Sequence, residues 1–318
     1  MDILLTGSVA FDYLMTFPGH FKEHLLPERL EKVSLSFLVD SMSRQRGGIA
    51  PNIAYTMALL GQRPRVMATV GEDFSDYRRW LDAQGIDTSL MKVIPAEFTA
   101  SFFATTDQSS AQIASFYPGA MAQSATQSLL DVEEPPALVV VSPSAPDAMT
   151  KFCAECRQLE IAYLYDPSQQ ILRLTGDELI RDMDGAQFLF CNDYEFDLIC
   201  KKTGRDRNAI LNRVRVLVVT RGRDGASLYT GDQQHIIPTV PEEQIVDPTG
   251  VGDAFRGGFL AGYAHGLDWV LCGQIGSLAA VYCLEQRGPQ SHTYTRKAFV
   301  ERFRGHFDDG GRLDVLLP

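Results

Sequence analysis

The chain has 318 residues, a formal net charge of −11, and 45% hydrophobic and 22% charged residues. This acidic balance argues against nucleic acid as a partner, because binding its backbone requires clustered lysine and arginine, and the sequence has no such cluster. No apolar run is long enough to span a bilayer, and the first residues carry an early acid and no basic segment, so we expect a cytoplasmic protein without a membrane partner.

Apolar, β-branched runs alternate along the chain with helical patterns. The predicted strands are residues 3–5, 65–70, 138–141, 162–165, 188–191 and 216–220, and the predicted helices include residues 52–60, 77–83, 147–159 and 193–201. Strands that alternate with helices predict a mostly parallel central sheet covered on both faces, which is a three-layer α/β/α fold. We expect one domain over residues 1–318, although the length alone would also accommodate two.

Two segments interrupt this alternation. Residues 17–40 form a long insertion after the first strand, and residues 99–106 and 111–117 alternate at period two around a turn at residues 107–110. They predict a small antiparallel layer, a discontinuous lid formed by about residues 13–46 and 98–118. A lid of this kind excludes water from a reaction centre.

The predicted strands end in small or polar residues. These ends are Thr6-Gly7-Ser8, Ser142-Pro143-Ser144, Asp166-Pro167-Ser168, Asn192-Asp193 and Thr220-Arg221-Gly222. Open α/β sheets bind ligands just outside the carboxyl ends of their strands. Any one of these loops could be polar merely because it is exposed, but five together favour a ligand cleft.

A glycine-rich segment at residues 247–259, DPTGVGDAFRGGF, delivers an aspartate to the start of a helix. Gly250 and Gly252 allow backbone N–H groups to approach an anion closely, and the helix adds its positive dipole end. The N–H groups of Gly250, Val251, Gly252 and Asp253 would form an anion hole, and Asp253 would accept the proton of an attacking hydroxyl. The segment therefore predicts a phosphoryl-transfer site, in which the helix dipole keeps Asp253 ionised near neutral pH.

The alternative is an ordinary loop in which Asp253 caps the helix. The segment is not a Walker A loop, because the chain contains no Gly-Lys dipeptide, and it lacks the glycine spacing of a dinucleotide fingerprint. Metal chemistry through cysteine is not indicated either. Cys153 and Cys156 have metal-like spacing but no second pair of ligands, so we expect free thiols.

Taken together, these features resemble the ribokinase-like (PfkB-type) family of sugar and nucleoside kinases over essentially the full length of the chain. The resemblance rests on RGGIAPNIA at residues 46–54, on residues 247–258 and on Asn192-Asp193-Tyr194-Glu195. Within the family the sequence is most similar to bacterial adenosine kinases of the actinobacterial type, through residues 6–8 with Asp12 and through residues 25–40, 111–121 and 166–170. Pro51 and Val251 depart from the usual family pattern.

The resemblance implies a ribokinase-like fold and a kinase that uses ATP as co-substrate and Mg²⁺ as cofactor. It makes Asp253 the general base and assigns Glu195 and Asn192 to magnesium, through water. It places a monovalent cation, K⁺, near Asp247 and Thr249. The residues that it assigns to ATP are Arg173, Asn192, Thr220, Gly222 and Gly225.

For the acceptor, the resemblance implies that Asp12 binds ribose hydroxyls. It puts an adenine ring between Phe102 and Phe116, which on the residue evidence alone would be core aromatics. The remaining residues that it assigns to the nucleoside are Ser8, Ser36, Gly48, Asn52, Gln169 and Gln170.

The expected reaction is phosphorylation of the adenosine 5′-hydroxyl to give AMP and ADP, a step of purine salvage. A free sugar has no flat face that needs so much aromatic area, which favours a nucleoside. The alternatives are a kinase for guanosine, inosine or cytidine, a kinase for a free sugar, as in ribokinase or fructokinase, and, least favoured, a non-catalytic nucleoside-binding protein. The resemblance also implies a homodimer joined through the lid.

Overall fold

The computed structural model describes residues 1–24 and 35–317. In chain order the strands are β1 (Ile3–Thr6), β2 (Ala10–Thr16), β3 (Ser41–Gly47), β4 (Arg65–Met67), β5 (Thr69–Val70), β6 (Lys92–Val93), β7 (Ala100–Thr106), β8 (Gln112–Tyr117), β9 (Leu138–Val141), β10 (Ala162–Tyr165), β11 (Phe188–Asn192), β12 (Val216–Thr220), β13 (Ala226–Thr230) and β14 (Gln233–Ile237). The helices are α1 (Ile49–Leu59), α2 (Ser75–Ala83), α3 (Pro146–Gln158), α4 (Gly176–Met183), α5 (Asp193–Thr203), α6 (Arg207–Leu211), α7 (Val251–Ala264), α8 (Trp269–Leu284) and α9 (Arg296–Arg304).

The main sheet has eight strands in the order β14-β13-β12-β11-β10-β9-β1-β4. β13 is antiparallel to both of its neighbours, and the other pairs are parallel. Successive side chains of a strand point to opposite faces, and in β9 Leu138 and Val140 pack in one core whereas Val139 and Val141 pack in the other. The first core contains residues of α1, α2, α7 and α8, and the second contains residues of α3, α4, α5 and α6. The predicted three-layer α/β/α order is therefore confirmed.

Most predicted strands coincide with observed ones, and β9, β10 and β12 have the predicted bounds. The run at residues 65–70 is divided, because β4 belongs to the main sheet whereas β5 pairs with β6. The C-terminal helix α9 buries Phe299 and Phe303 in a third core with Leu313. Cys153 and Cys156 are buried free thiols in α3.

The second sheet has four strands in the order β3-β2-β7-β8. The predicted hairpin is present as β7 and β8, and the β2–β3 pair is also antiparallel, but β2 pairs with β7 in parallel. The layer is thus not purely antiparallel, because a long connection through β4 to β6 brings β7 in alongside β2 in the same direction. β2 begins at Ala10, before the expected lid boundary at residue 13. Residues 25–34 of the predicted lid lie outside the described residues.

Two further observations concern residues 1–24 and 35–317 only. None of the helices in these ranges is both long enough and apolar enough to cross a membrane. These ranges also contain no group of three or more His, Cys, Asp or Glu side chains arranged to hold a metal ion.

Candidate active site

A cavity of about 190 Å³ lies at the carboxyl ends of the central parallel strands. The strand β11 ends at Asn192 and β12 ends at Thr220, and the start of α7 faces both. Its lining residues are Ser168, Asn192, Glu195, Thr220, Gly250, Gly252, Asp253 and Arg256. Residues predicted separately for catalysis, magnesium and ATP therefore meet in one place, where open α/β sheets generally bind ligands.

The glycine-rich turn at the start of α7 has the geometry of an anion hole. Gly250 has a φ of 78°, and a Cβ atom there would lie 2.3 Å from the Cβ atom of Pro289, so both conformation and space require glycine. The helical ladder begins with the Ala254 N–H, which donates to the Gly250 carbonyl at 2.8 Å. The N–H groups of Gly252 and Asp253 precede this ladder and are available to an anion. The Val251 N–H donates to Pro248 at 3.4 Å, so one of the four predicted donors is partly engaged.

Asp253 accepts a hydrogen bond from Asn52, with Nδ2 2.8 Å from Oδ2. Burial raises the pKa of Asp253 to about 7, against the opposing effects of Arg256 and of the Asn52 bond. Burial thus opposes the expected full ionisation of this carboxylate near neutral pH, and about half of the Asp253 side chains are ionised at pH 7. A carboxylate whose pKa lies near neutral pH is a better general base than an ordinary aspartate.

Arg256 was not among the predicted site residues. Its buried guanidinium forms an ion pair with Asp166, donating from Nη2 to Oδ1 at 2.9 Å, and Nη1 donates to the Gly252 carbonyl at 3.0 Å. The pair joins the start of α7 to the end of β10 and puts a positive charge beside the anion hole. Gly252 and Arg256 are four residues apart and therefore lie on one face of α7. This spacing is the feature of the sequence that could have indicated that Arg256 reaches the anion hole.

Asn192 and Glu195 cap α5 reciprocally. The Glu195 N–H donates to Asn192 Oδ1 at 2.8 Å, and the Asn192 N–H donates to Glu195 Oε2 at 2.8 Å. The Ser168 hydroxyl oxygen lies 3.2 Å from Glu195 Oε1. Both side chains are half-buried at the cavity, so Glu195 is not a solvated surface acid. Their oxygen donors fit Mg²⁺, which in such a site takes its other ligands from phosphates and water.

The residues predicted to bind ATP lie partly at the end of β12, near the cavity, and partly after a short 3₁₀ helix. Thr220 lines the cavity, and the turn that follows it is closed by the Arg221 N–H, which donates to Gly225 at 2.7 Å, with Gly222 inside that turn. A tight turn explains both glycines locally, so their contact with a nucleotide stays a prediction. Arg173 is exposed at the end of the short 3₁₀ helix Ser168–Leu172, and its role also stays a prediction.

One row of residues crosses the small sheet. Asp12 on β2 pairs with Gln45 on β3 and with Phe102 on β7, and Phe102 pairs with Phe116 on β8. Directly paired residues share a face of a sheet. This face is turned toward Gly288, where an added Cβ atom would lie 2.7 Å from Gln45 Oε1. The two phenyl side chains thus lie on the same face of adjacent strands, and a base held between them stays a prediction.

Asp12 lies between Gln45 and Phe102 in this row, close enough to the glycine-rich turn to interact with the charge of Asp247. Burial and the charge of Asp247 raise the pKa of Asp12 to about 6. Asp247 itself accepts N–H groups from Thr249 at 2.9 Å and from Gly288 at 3.0 Å, so it holds the start of the turn in place. Thr249 is exposed. The monovalent cation expected near Asp247 and Thr249 stays a prediction.

The loop between β3 and α1 packs on the end of β1. Gly48 has a φ of 97°, and a Cβ atom there would lie 2.5 Å from the Ser8 carbonyl oxygen. Ser8 Oγ accepts the Ile49 N–H at 3.1 Å, so a distant side chain starts α1 three residues before the prediction. Pro51 fits the first turn of α1, where a missing N–H costs nothing. This start of α1 brings Asn52 to Asp253.

The two predicted glutamines differ in their surroundings. Gln170 is buried, and its Nε2 donates to the Ser144 carbonyl at 2.7 Å, so half of its amide is engaged with the backbone. Gln169 is exposed and accepts a bond from Ser168 Oγ at 2.8 Å. Ser36 is exposed just after the segment that the structure does not describe. Contact of these three side chains with a purine stays a prediction.

Comparison with known proteins places the chain in a family. Residues 6–296 match the family model described as pfkB family carbohydrate kinase. The chain belongs to the pfkB family. Among its pfkB-type relatives, a nucleoside kinase of Methanothermobacter thermautotrophicus is 32% identical over 312 residues, with 95% of each chain covered.

Solved structures agree with this placement and with the predicted ribokinase-like fold. Burkholderia thailandensis nucleoside kinase in complex with inosine is 38% identical, covers 96% of this chain and 98% of its own, and superposes with a TM-score of 0.86. Methanocaldococcus jannaschii nucleoside kinase, described as an archaeal member of the ribokinase family, is 27% identical, with 96% and 99% coverage and a TM-score of 0.87. The fold expected for the pfkB family is therefore confirmed over nearly the whole chain.

Proposed function

We propose that this pfkB-family protein is a nucleoside kinase that transfers the γ-phosphoryl group of ATP to a nucleoside 5′-hydroxyl, with adenosine as the first candidate acceptor. One observation carries the proposal. Asp253 stands at the head of α7, hydrogen-bonded to Asn52, in the cavity that also holds Glu195 and Asn192. The B. thailandensis and M. thermautotrophicus relatives, 38% and 32% identical over nearly the full chain, are nucleoside kinases, which supports this proposal.

The chemistry follows from these groups. As the bond between the acceptor oxygen and the γ-phosphorus forms, the bond from the γ-phosphorus to the β–γ bridging oxygen breaks and ADP leaves, while the acceptor hydroxyl gives its proton to the Asp253 carboxylate. The free N–H groups of Gly252 and Asp253 stabilise the charge on the transferred oxygens, and losing one donor of this kind costs about 2.7–4 kcal/mol. Mg²⁺, held through Glu195 and Asn192, would supply positive charge to the phosphates of ATP.

The row on the small sheet suits a nucleoside better than a free sugar. Asp12 offers two oxygens to a ribose diol, and Phe102 and Phe116 offer a flat apolar surface on the same face. Stacking of a base on an aromatic side chain is worth about 1–3 kcal/mol, and a free sugar would forgo it. The base would lie against Phe102 and Phe116 while the ribose lies against Asp12.

Inosine is a second candidate acceptor. The B. thailandensis enzyme, at 38% identity, has been solved with inosine bound and in a complex described as ADP-inosine. We therefore propose that the protein accepts more than one purine nucleoside.

The test is ADP release measured with adenosine, inosine, guanosine, cytidine, ribose and fructose, with and without Mg²⁺. We expect release with the two purine nucleosides adenosine and inosine well above that with ribose or fructose, and none in the Asp253→Asn variant. Equal release with ribose and adenosine would contradict the nucleoside assignment. Turnover by Asp253→Asn at the wild-type rate would contradict its role as base.

We also propose a homodimer joined through the small sheet. The strand β8 is exposed along its whole length, and large apolar side chains are exposed across this sheet. On the face opposite to the row of Asp12, Phe102 and Phe116, they are Met42, Phe103, Ile113 and Tyr117. A second copy would cover this apolar surface.

A further inference from the structure

Gln290 lies at the centre of a buried hydrogen-bond chain that ends at Asp253. Its Nε2 donates to Asn52 Oδ1 at 2.7 Å and to the Tyr77 hydroxyl at 2.5 Å. Tyr77 in turn donates to the Gly47 carbonyl at 3.0 Å. At the other end, Asn52 Nδ2 donates to Asp253 Oδ2 at 2.8 Å. Both Gln290 and Tyr77 are buried, so bulk water does not compete for these bonds.

The Gly47 carbonyl determines the direction of every bond in this chain. A carbonyl oxygen can only accept, so Tyr77 donates to it, and the Tyr77 oxygen is left to accept from Gln290. Gln290 thus presents its NH₂ group, Asn52 turns its oxygen toward Gln290, and the Asn52 NH₂ group faces Asp253. The reverse order would put Asn52 Oδ1 against Asp253, which suits a protonated carboxyl and repels an ionised one.

The segment that carries Gln290 also contacts the anion-hole turn. The Gly288 N–H donates to Asp247 at 3.0 Å, and Pro289 occupies the space that a side chain at position 250 would need. The segment from Gly288 to Gln290 therefore contacts both the anion-hole turn and Asn52, which is the hydrogen-bond partner of Asp253. Their place in the fold gives Gln290 little freedom to move away from Asn52.

We propose that Gln290, supported by Tyr77, is a positioning residue for the reaction. It holds the Asn52 amide so that an N–H always faces Asp253, which favours the ionised carboxylate and aims its other oxygen at the acceptor hydroxyl. Gln290 touches no reacting atom and acts through Asn52. The link to turnover rests on the kinase function proposed above, whereas the link to the protonation of Asp253 does not.

Other charged or titratable groups also act on Asp253. Arg256 lies on the same helix, Glu195 on α5, Asp166 after β10 and Cys283 on α8. None of them is a member of the chain from Gly47 to Asn52. Substitutions within that chain therefore leave these groups in place, and any change in the titration of Asp253 reports on Asn52.

The main variant is Gln290→Met, which keeps the approximate volume and removes the donor. In the pH profile of kcat/KM for the nucleoside, we expect the acid limb to move to higher pH by about one unit. Since the pKa of Asp253 is about 7, this shift lowers its ionised fraction at pH 7 from about one half to about one tenth, an approximately fivefold loss of kcat/KM. The loss should disappear at higher pH, where Asp253 is ionised in both proteins.

Three further proteins sharpen the test. Tyr77→Phe keeps the ring packing and removes the hydroxyl that orients Gln290, so it should move the limb in the same direction by less. In the Asn52→Ala background, Gln290→Met should have no further effect on the limb, because its route to Asp253 is gone. The control is Gln127→Met, which removes a donor to the Leu90 carbonyl at 2.8 Å, far from the cavity, and should leave the limb unmoved.

A second readout needs no turnover. The ¹³C chemical shift of the Asp253 carboxyl, followed from about pH 5 to about pH 9, should titrate about one unit higher in Gln290→Met than in the wild type. If turnover is present but neither the limb nor this titration moves in Gln290→Met or in Tyr77→Phe, the positioning role is overturned and the kinase function stands. If the titration moves but no nucleoside is phosphorylated, the positioning of Asp253 stands and the kinase function fails.

Discussion

Replacing Asp253 by Asn should stabilise the fold while it removes the proposed base. Burial raises the pKa of Asp253 from 3.8 to about 7. A raised carboxyl pKa means that the folded chain keeps a proton that the unfolded chain has released, so the wild type loses stability as the pH rises from about 4 to about 7. Above that range the loss is complete and constant. An amide at position 253 does not ionise and still accepts the bond from Asn52.

The size of the effect follows from this shift. About three pKa units correspond to about 4 kcal/mol, and solvent in the cavity screens the charge, which reduces the expected gain to about 2 kcal/mol at pH 8. At pH 5 only the first part of the titration has occurred, so the gain should be below about 1 kcal/mol. For 318 residues, a gain of about 2 kcal/mol corresponds to a Tm higher by about 3 °C.

The assay is urea unfolding of wild type and Asp253→Asn, without ligands, at pH 5 and at pH 8. Subtracting the two free energies of unfolding cancels the titration of all shared groups, including Asp12. The matched control is Asp193→Asn, an exposed acid in the first turn of α5, which should give no gain at either pH. An equal gain at both pH values, or a variant less stable than wild type at pH 8, would refute the reasoning.

Four other outcomes are expected. Asp253→Asn should lower kcat by at least about a thousandfold while nucleoside affinity, measured by calorimetry, stays within a few-fold. In the wild type, kcat/KM should fall about tenfold per pH unit below the pKa of Asp253, about 7, and a flat profile between pH 5 and pH 7 would contradict this. Phe102→Ala should weaken nucleoside binding by about 1–3 kcal/mol and leave ribose binding unchanged, whereas equal losses would exclude stacking. Ile113→Arg on the exposed strand β8 should give a monomer in sedimentation with unchanged kcat, and a monomeric wild type would contradict the dimer.

The sheet and the catalytic turn could be predicted from local sequence patterns. Strands such as β9 and β12 are continuous apolar runs whose ends are marked by polar residues. The turn at position 250 requires glycine because its φ is positive and because Pro289 leaves no space for a side chain. Both requirements are visible in the sequence as a glycine. The parallel pairing of β2 with β7 could not be predicted, because it depends on how a long connection crosses the molecule.

The electrostatics of the site could not be predicted in the same way. Desolvation of Asp253 depends on what surrounds it, and the ion pair between Arg256 and Asp166 joins residues 90 positions apart. The bond between Gln290 and Asn52 joins residues 238 positions apart, and nothing near Gln290 in the sequence indicates its partner. Such contacts leave no periodic pattern and no local motif from which they could be inferred.

The parallel pairing in the small sheet has a consequence for the order of folding. The strands that carry Asp12 and Phe102 are separated by roughly 90 residues of chain. Closing so long a loop is slow, because its entropic cost must be met before the two strands gain any stabilising contact. We therefore expect strands β9 to β14 of the main sheet, whose neighbours are close in sequence, to form before the nucleoside surface assembles. Ligand binding during refolding should then lag behind the first recovery of far-ultraviolet circular dichroism.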